Sequence, residues 1–236
     1  MKLSPAVPMW RQVADHLRTQ ILNGTFPAGQ VLPSEENLAR EYGVSRPVIR
    51  DGIKTLVSEG FVEIRRPHGN LVRDPYAAPT RTEHPTTTAG DWTDAEDPTF
   101  YRTNATADQA DMLAIPPGEP LLTREVIQQA AGIRRYHRLH MPFSIAEHTP
   151  WADDPHLPPA PKVYEHFTAH GHTLTWTEHV RARAPIGDET QVLAVPAGTP
   201  LLITLRTTVS VTDNHPLTLE ETRQRADQIQ LAYNLQ

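Results

Sequence analysis

Two arginines in the stretch GVSRPVIR are the residues of this sequence best suited to reading a base pair. Arg46 directly follows Ser45, and Arg50 comes four residues later. If the stretch is helical, the two guanidinium groups lie on one face. An arginine there can hold O6 and N7 of a guanine with two hydrogen bonds, worth ~1–3 kcal/mol of base discrimination. We therefore predict that the start of this segment enters the major groove of DNA.

Other polar and basic residues near these arginines could hold the phosphate backbone. Arg40 and the helix-cap N–H groups suit phosphates, and a turn at residues 66–69 could reach the adjacent minor groove. The predicted DNA contacts are Ser34, Arg40, Ser45, Arg46, Pro47, Val48, Arg50, Arg66, His68 and Gly69. The alternative is an ordinary helical hairpin with solvated charged faces. It leaves unexplained why caps, a turn glycine and a hairpin coincide with a basic segment.

The elements that would position these residues are three helices and a hairpin. MWRQVADHLRTQILNG has apolar residues at helical spacing and ends at Gly24. Ser34 is a suitable N-cap for a second helix that ends at Gly43. Ser45 would cap a third helix ending at Gly60, and FVEIRRPHGNLVRD alternates as a β-hairpin. We predict a winged helix-turn-helix over residues 1–75.

Charge and composition limit the classes of protein to which this chain can belong. Residues 1–75 hold ten lysines and arginines against eight acids, whereas the rest holds twelve against twenty. A mildly basic head on an acidic body fits a head that meets a polyanion. There is no cysteine, and no apolar run reaches the length of a membrane span or signal peptide. We expect a cytoplasmic protein without cofactor, metal or membrane partner.

An internal repeat organises the C-terminal part. LAIPPGEPLL at 113–122 recurs as LAVPAGTPLL at 193–202, each after a short polar helix pattern and before a β-rich run. Residues 76–98 are rich in proline, threonine and acid without a period, which is typical of a linker. The fold class predicted is α+β, with an antiparallel-sheet domain and internal pseudo-repeat at 99–236.

The stretch LPSEENLAREYGVSRPVIRDGIKTLVSEGFVEIRRPHGNLV resembles the winged-helix domain of the GntR family of bacterial transcription factors. The resemblance implies that Ser45, Arg46 and Arg50 occupy DNA-reading positions. Three departures stand out: Glu36 where the family has an arginine, Pro67 and His68 in the wing, and Gly52 in place of alanine. The resemblance also implies a pseudo-palindromic operator with GT…AC ends. Because Glu36 replaces an arginine that contacts DNA in the family, a dimer is more necessary for binding.

The two PxGxPLL units resemble the UTRA effector domain of the HutC subfamily, which is similar in fold to chorismate lyase. In relatives that bind sugar phosphates, paired arginines follow the first unit, and here those positions are Val126 and Gln128. The effector positions implied are Val126, Gln128, His137, His140, Lys162, Tyr164, Thr218 and Gln224. We therefore expect an effector that is not a sugar phosphate but neutral, aromatic or amphiphilic.

The function expected is a homodimeric repressor that a small-molecule effector releases from its operator. Two alternatives remain open. One is a constitutive repressor whose tail only dimerises and binds no ligand. The other is an enzyme that uses the chorismate-lyase-like pocket, although fold alone does not carry activity. The histidines at 166, 170 and 172 could suggest a metal, but no carboxylate stands at a telling spacing.

Overall fold

The computed structural model describes residues 7–74, 81–83 and 92–233, with the side chains of 81–83 left aside. The chain divides into two compact units, one formed mainly by residues 1–78 and the other by residues 79–193 and 200–236. Parts of the segment predicted as a linker, residues 76–80 and 84–91, lie outside the described residues. Among the helices that are described, none combines the length and apolarity needed to cross a membrane.

The first unit is the predicted winged helix-turn-helix. Its helices are α1 (Met9–Leu22), α2 (Glu35–Tyr42) and α3 (Arg46–Ser58), and its wing pairs β1 (Val62–Arg65) with β2 (Gly69–Val72) in antiparallel register. The apolar face of each helix packs into one core, whose fully buried members include Leu17, Leu38 and Leu56. Burial of these faces, rather than helix propensity, holds such short helices in place.

The second unit is built on one large antiparallel sheet. Its elements are β4 (Thr93–Asp94), β5 (Thr99–Asn104), α4 (Ala107–Leu113), β6 (Pro120–Ala130), β7 (Ile133–Pro142), α5 (Phe143–Ala146), α6 (Ala160–Ala169), β8 (Leu174–Arg183), α7 (Glu189–Val192), β9 (Leu201–Ser210) and β10 (His215–Arg225). The order across the sheet is β6–β7–β10–β9–β8, and both β4 and β5 pair with the outer side of β6. The predicted antiparallel-sheet class is confirmed.

Two short strands fall inside the segment predicted as a linker. β3 (Arg81–Glu83) pairs in parallel with β11 (Ile229–Leu231), and β4 pairs with Gln128–Gln129 of β6. Strands of two or three residues are too short to show a period of two, so the pattern of the sequence could not reveal them. The final segment, predicted as one last strand, forms β10 and the separate β11.

The sequence repeat is a structural repeat. Each copy runs from a helix, through a turn with glycine in the left-handed region, into a long strand of a hairpin. Ala114 and Ala194, which lie at equivalent positions, both have positive φ, at 51° and 49°. The hairpins β6–β7 and β9–β10 meet at the β7–β10 pair, so the sheet has an approximate two-fold arrangement about that pair.

The two faces of this sheet are covered by different helices. On one face, Leu122, Leu139 and Met141 pack against Tyr164 and Phe167 of α6. On the other, Leu121 and Leu219 pack against α4 through Leu113. We call these the α6 face and the α4 face. Because side chains alternate along a strand, the residue number decides which face each side chain joins.

Candidate nucleic-acid interface and ligand-binding face

The junction of α2 and α3 is fixed by caps and one left-handed glycine. The Ser34 hydroxyl accepts a hydrogen bond from the backbone N–H of Asn37 at 3.2 Å, which satisfies an otherwise free donor of the first turn. Gly43 ends α2 with φ 64°, a conformation that glycine adopts without strain. Ser45 occupies the N-cap position of α3, but its side chain makes no capping hydrogen bond. The Ser45 hydroxyl is therefore not used by the helix.

The two arginines of α3 differ in what they contact. Arg46 is exposed at the first position of the helix, and no described residue forms an ion pair with it. Arg50, also exposed, donates from Nε and Nη2 to the Glu35 carboxylate, the Nη2 distance being 2.9 Å. The hydrogen bond from Arg50 lowers the pKa of Glu35, so this carboxylate is charged at neutral pH. Arg50 is thus held by an acid of α2 before any DNA is present.

The remaining predicted DNA residues lie in three different settings. Pro47 is exposed in the first turn of α3, whereas Val48 is half-buried and packs against the core of the unit. Val48 is therefore partly a packing residue. Arg40 and Glu36 form an exposed pair at 3.4 Å. Arg66, His68 and Gly69 are exposed at the tip of the wing.

On the α6 face, the structure brings together six of the eight predicted effector residues. The register places Val126 opposite His137 and Gln128 opposite Arg135, and on the next strand Thr222 and Gln224 continue these two rows. Thr218 lies further along β10, and Tyr164 reaches the same face from α6 by donating to Glu220. The six are Val126, Gln128, His137, Tyr164, Thr218 and Gln224.

The other two predicted effector residues lie elsewhere. His140 is on the α4 face, where Nδ1 is 2.8 Å from the Thr123 hydroxyl and Nε2 is 3.4 Å from Gln109 of α4. Residues 137 and 140 are three apart on one strand and so point to opposite sides, which the alternation of the sequence could have shown. Lys162 is exposed on α6 and pairs with Glu165 at 3.0 Å. His140 and Lys162 therefore do not lie with the other six residues, and their role in effector binding stays a prediction.

A chain of polar contacts crosses the α6 face at its β6 edge. Arg124 forms an ion pair with Asp94, whose other oxygen accepts from the Gln128 amide at 3.1 Å. The Gln128 carbonyl oxygen in turn accepts from Arg135 Nε at 2.9 Å. The Arg135 guanidinium lies over the Trp92 ring, 4.1 Å from its centroid. Residues 92–94, predicted as linker, therefore cover this edge of the face.

A second group of contacts surrounds Glu220 in the middle of the face. Its carboxylate is 2.9 Å from His137 Nε2 and accepts from the Tyr164 hydroxyl. Burial lowers the pKa of His137, which favours the neutral ring despite the nearby carboxylate. Burial opposes the charge of Glu220, yet the hydrogen bonds from His137 and Tyr164 leave its pKa lowered. A neutral His137 donates through Nε2, and its Nδ1 then carries a lone pair.

Several buried polar atoms on the α6 face have no hydrogen-bond partner among the described residues. They are Arg124 Nη1, His137 Nδ1, the Thr218 hydroxyl and both amide atoms of Gln224. Arg124 is 2% exposed, His137 3% and Gln224 0%. Leaving such atoms unpaired costs about 1–3 kcal/mol each. Their concentration on one face marks a place where a polar ligand would be stabilised.

Sequence reasoning missed Arg124, Arg135, Asp94 and Glu220. Arg124 lies two residues before Val126 on β6, and Arg135 pairs with Gln128 from β7, so both arginines share the face of Val126 and Gln128. The resemblance pointed only to positions 126 and 128, so these two neighbouring arginines went unnoticed. Asp94 could not be found from the pattern, since its segment has no period. Across the described residues, no cluster of three metal-ligating side chains is present.

Comparison with protein families gives two matches. Residues 10–72 match the model described as bacterial regulatory proteins, gntR family, and residues 99–230 match the UTRA domain.

Curated relatives match mainly through the first unit. The HTH-type transcriptional regulator Mce2R of Mycobacterium tuberculosis is 43% identical over 63 residues, which cover 27% of this chain and 26% of the relative. The HTH-type transcriptional repressor NagR of Bacillus subtilis is 36% identical over 74 residues, covering 31% and 30%. An HTH-type regulator of Rhizobium meliloti is 30% identical over 132 residues, covering 53% and 54%. The chain spans about a quarter to a half of the length of these relatives.

Solved structures match over the whole chain. A crystal structure described as a GntR-family transcriptional regulator is 26% identical, with a TM-score of 0.69, over 97% of this chain and 98% of that one. PhnF from Mycobacterium smegmatis is 18% identical, with a TM-score of 0.53, over 95% and 99%. The second similarity supports the fold alone.

Proposed function

This chain belongs to the UTRA-domain family and carries the winged helix of the gntR family of bacterial regulatory proteins. From that premise we propose that it is a transcriptional regulator. The head, residues 1–75, binds operator DNA, and the tail, residues 99–236 together with residues 92–98, binds a small-molecule effector. No catalytic role is assigned to the tail.

The observation that carries this proposal is the exposed start of α3. Arg46 stands at the first helical position with its charge unpaired among the described residues, beside an uncommitted Ser45 hydroxyl. Helices of this kind place their N-terminal residues against base edges in the major groove. The exposed wing tip, with Arg66 and His68, supplies a second point of contact with DNA.

We propose further that the regulator acts as a homodimer on a pseudo-palindromic site. Several basic residues of the head already face a carboxylate: Arg40 faces Glu36, Arg50 faces Glu35, Lys54 faces Asp51 and Arg65 faces Glu63. A head with so few uncompensated cations holds the polyanion weakly. Two heads on half-sites about one helical turn apart would add their contacts.

We propose that the protein is a repressor and that its effector releases it from DNA. The matched relative NagR is described as a repressor, which supports this sign of regulation. Ligand binding must then favour a dimer whose heads no longer fit both half-sites. The unpaired polar atoms of the α6 face support a tail that binds a ligand over a tail that only dimerises.

We propose that the effector is uncharged rather than a sugar phosphate. On the α6 face, Arg124 is compensated by Asp94, and Arg206 by Glu178 at 3.1 Å. The cations of this face, Arg124, Arg135 and Arg206, equal in number its anions, Asp94, Glu178 and Glu220. With charges balanced, a buried phosphate would lack the excess of cations that it needs.

The DNA-binding proposal is tested with Arg46→Ala against Lys54→Ala. Each variant removes one positive charge from α3, but Lys54 is paired with Asp51 at 3.2 Å. Footprinting and gel-shift titrations use DNA that flanks the protein's own gene. There R46A should lose about 10- to 100-fold in affinity for the protected site. K54A should lose less and keep its preference for that site. Absence of any protected palindrome, or equal losses in the two variants, contradicts the proposal.

A further inference from the structure

We propose that the α6 face binds a ligand through an amide edge, either a lactam or a primary carboxamide. An amide edge presents a carbonyl acceptor beside an N–H donor. This inference rests on the proposed function, because it names the chemical class of the effector. It is argued from three side chains on adjacent strands: Arg124 on β6, His137 on β7 and Gln224 on β10.

His137 is close enough to each of the other two side chains for one small molecule to reach it together with either of them. β7 lies between β6 and β10, and neighbouring strands are about 5 Å apart, so the outer two strands are about 10 Å apart. His137 pairs in register with Val126 and Thr222, one row from Arg124 and one row from Gln224. Diagonal neighbours of this kind are about 7–8 Å apart. Arg124 and Gln224 therefore flank His137 on opposite sides.

Gln224 gives the most specific indication of an amide. Both Nε2 and Oε1 are buried without a hydrogen-bond partner among the residues that the structure describes, and the residue is completely shielded from solvent. A carboxamide with both groups free is matched by a molecule that offers an acceptor and a donor side by side. An amide edge does this with two parallel hydrogen bonds. A single hydroxyl has its donor and acceptor on the same atom and cannot make two parallel bonds to one carboxamide. An ether, an ester or a carboxylate lacks the donor.

Arg124 and His137 demand the same combination of donor and acceptor. Arg124 Nη1 is a donor, since a guanidinium has no acceptor. His137 donates through Nε2 to Glu220, so its unpartnered Nδ1 accepts. A ligand carbonyl can accept from Arg124, and a ligand N–H can donate to His137. On the other side of His137, an amide edge that bonds the Gln224 carboxamide can likewise place an N–H near His137 Nδ1.

The balance of charge and polarity fits a neutral amide. Near the three side chains, the cations Arg124 and Arg135 equal in number the anions Asp94 and Glu220, and Arg124 is paired directly with Asp94. A charged ligand would leave one buried charge without compensation, which is costly in a desolvated site. Val126 and Leu139, both buried, supply an apolar surface on the same face for the carbon skeleton.

The test uses the full-length protein and matched probes. The amide probes are uracil, nicotinamide and benzamide. Nicotinate and benzoate replace the amide by a carboxylate, N,N-dimethylbenzamide lacks the N–H donor, and glucose and glucose 6-phosphate carry hydroxyl and phosphate groups. Thermal unfolding and calorimetric titration are measured for each probe. We expect at least one amide to raise Tm by about 5 °C when present at about 100 times its Kd, and the controls to raise it much less.

Two glutamine variants separate a ligand-binding role from a structural one. In Gln224→Met, no hydrogen bond within the described part of the protein is lost, so Tm without ligand should be unchanged or higher. Amide affinity should fall about tenfold or more. Gln128→Met removes the hydrogen bonds to Asp94 and Arg135, so the Tm of this variant should fall. Its amide affinity should fall less than that of Q224M.

Three outcomes overturn the inference. In the first, none of the amide probes binds. In the second, the carboxylates or the sugars bind more tightly than the amides. In the third, Q224M loses as much Tm as Q128M and binds amides like the wild type. Operator footprinting on the same preparations is independent of these results: intact footprints with no amide binding reject the amide inference alone. Lost footprints reject the proposed function.

Discussion

At the scale of single residues, the contact between Glu35 and Arg50 sets how the head meets DNA. Arg50 was predicted from the sequence as a reader of DNA, yet in the structure its guanidinium faces the Glu35 carboxylate with two donors. A phosphate or base must compete with that carboxylate. Glu35 thus orients Arg50 and, at the same time, weakens indiscriminate attraction to the DNA backbone.

Replacing Glu35 by glutamine should therefore make DNA binding stronger but less selective. The substitution frees Arg50 and adds one positive charge to the net charge of the head, so non-specific affinity should rise and its salt dependence should steepen by about one unit. The measurement is a salt titration of binding to operator and to random DNA of equal length. The ratio of the two affinities should fall.

Glu36→Gln is the matched control for this prediction. It makes the same change of charge one residue away, where the carboxylate meets only Arg40 at 3.4 Å and both side chains are largely exposed. E36Q should share the gain in non-specific affinity and keep the affinity ratio of the wild type. If E35Q and E36Q have the same ratio, Glu35 has no part in orienting Arg50.

At the scale of elements, Gly52 shows how packing changes the interpretation of a residue. From the sequence, glycine in the interior of α3 only weakens the helix, by ~1 kcal/mol relative to alanine. In the structure, Gly52 is buried against α1, and an added Cβ would lie 2.9 Å from Val13 Cγ1 and 3.1 Å from the Trp10 carbonyl oxygen. The glycine permits close approach of the two helices.

Gly52→Ala is therefore expected to destabilise the head despite the better helix propensity of alanine. Overpacking of this kind costs about 1–3 kcal/mol, which outweighs the gain of ~1 kcal/mol. The free energy of unfolding in urea checks this. Val13→Ala removes the nearest atom, so the double variant V13A/G52A should be more stable than the sum of the single effects predicts. Additive effects, or a stabilised G52A, would show that α1 and α3 separate freely.

At the scale of the whole molecule, the two faces of the sheet give two histidines of one strand, β7, different environments. His137 joins the polar α6 face, whereas His140 joins the α4 face, bonded to Thr123 and Gln109. Burial lowers the pKa of His140 to about 4; the Arg138 charge adds to this lowering, and the Glu221 carboxylate opposes it. His140 is therefore neutral in the folded protein at physiological pH.

This environment should make the folded tail sensitive to acid. An unfolded histidine has a pKa of about 6.5, so between pH 6.5 and 4 the unfolded chain binds a proton that the folded chain does not. Stability contributed by neutral His140 is present above pH 6.5 and is lost as pH falls toward 4, by about 3 kcal/mol in all. Urea unfolding at several pH values measures this loss.

His140→Gln separates this histidine from the other titrating groups. Glutamine can bond both Thr123 and Gln109 but does not titrate. The variant should lose less stability than the wild type between pH 6.5 and 4, while His137 and the carboxylates contribute equally in both. Identical pH profiles would mean that His140 titrates in the folded protein as it does in the unfolded chain.

The sequence by itself determined the helices and the wing of the head, the repeated units of the tail and the class of each unit. Helical periodicity, the Ser34 cap and the left-handed Gly43 are local features, so they fixed the helices of the head and the position of Arg46. The LAxPxGxPLL repeat fixed the two helix–turn–strand units for the same reason. Local backbone preferences and the spacing of apolar residues need no knowledge of distant parts of the chain.

Only the tertiary structure decided which polar groups meet. Asp94 reaches Arg124 thirty residues away, and Glu220 reaches His137 eighty-three residues away, through the pairing of strands that a period of two does not specify. The same pairing put His140 on the opposite face of the sheet. It also left Arg124 Nη1, His137 Nδ1 and both amide atoms of Gln224 buried without hydrogen-bond partners among the described residues. Strand order and register are set by the packing of the whole sheet, and a ligand site that spans three strands exists only once they are set.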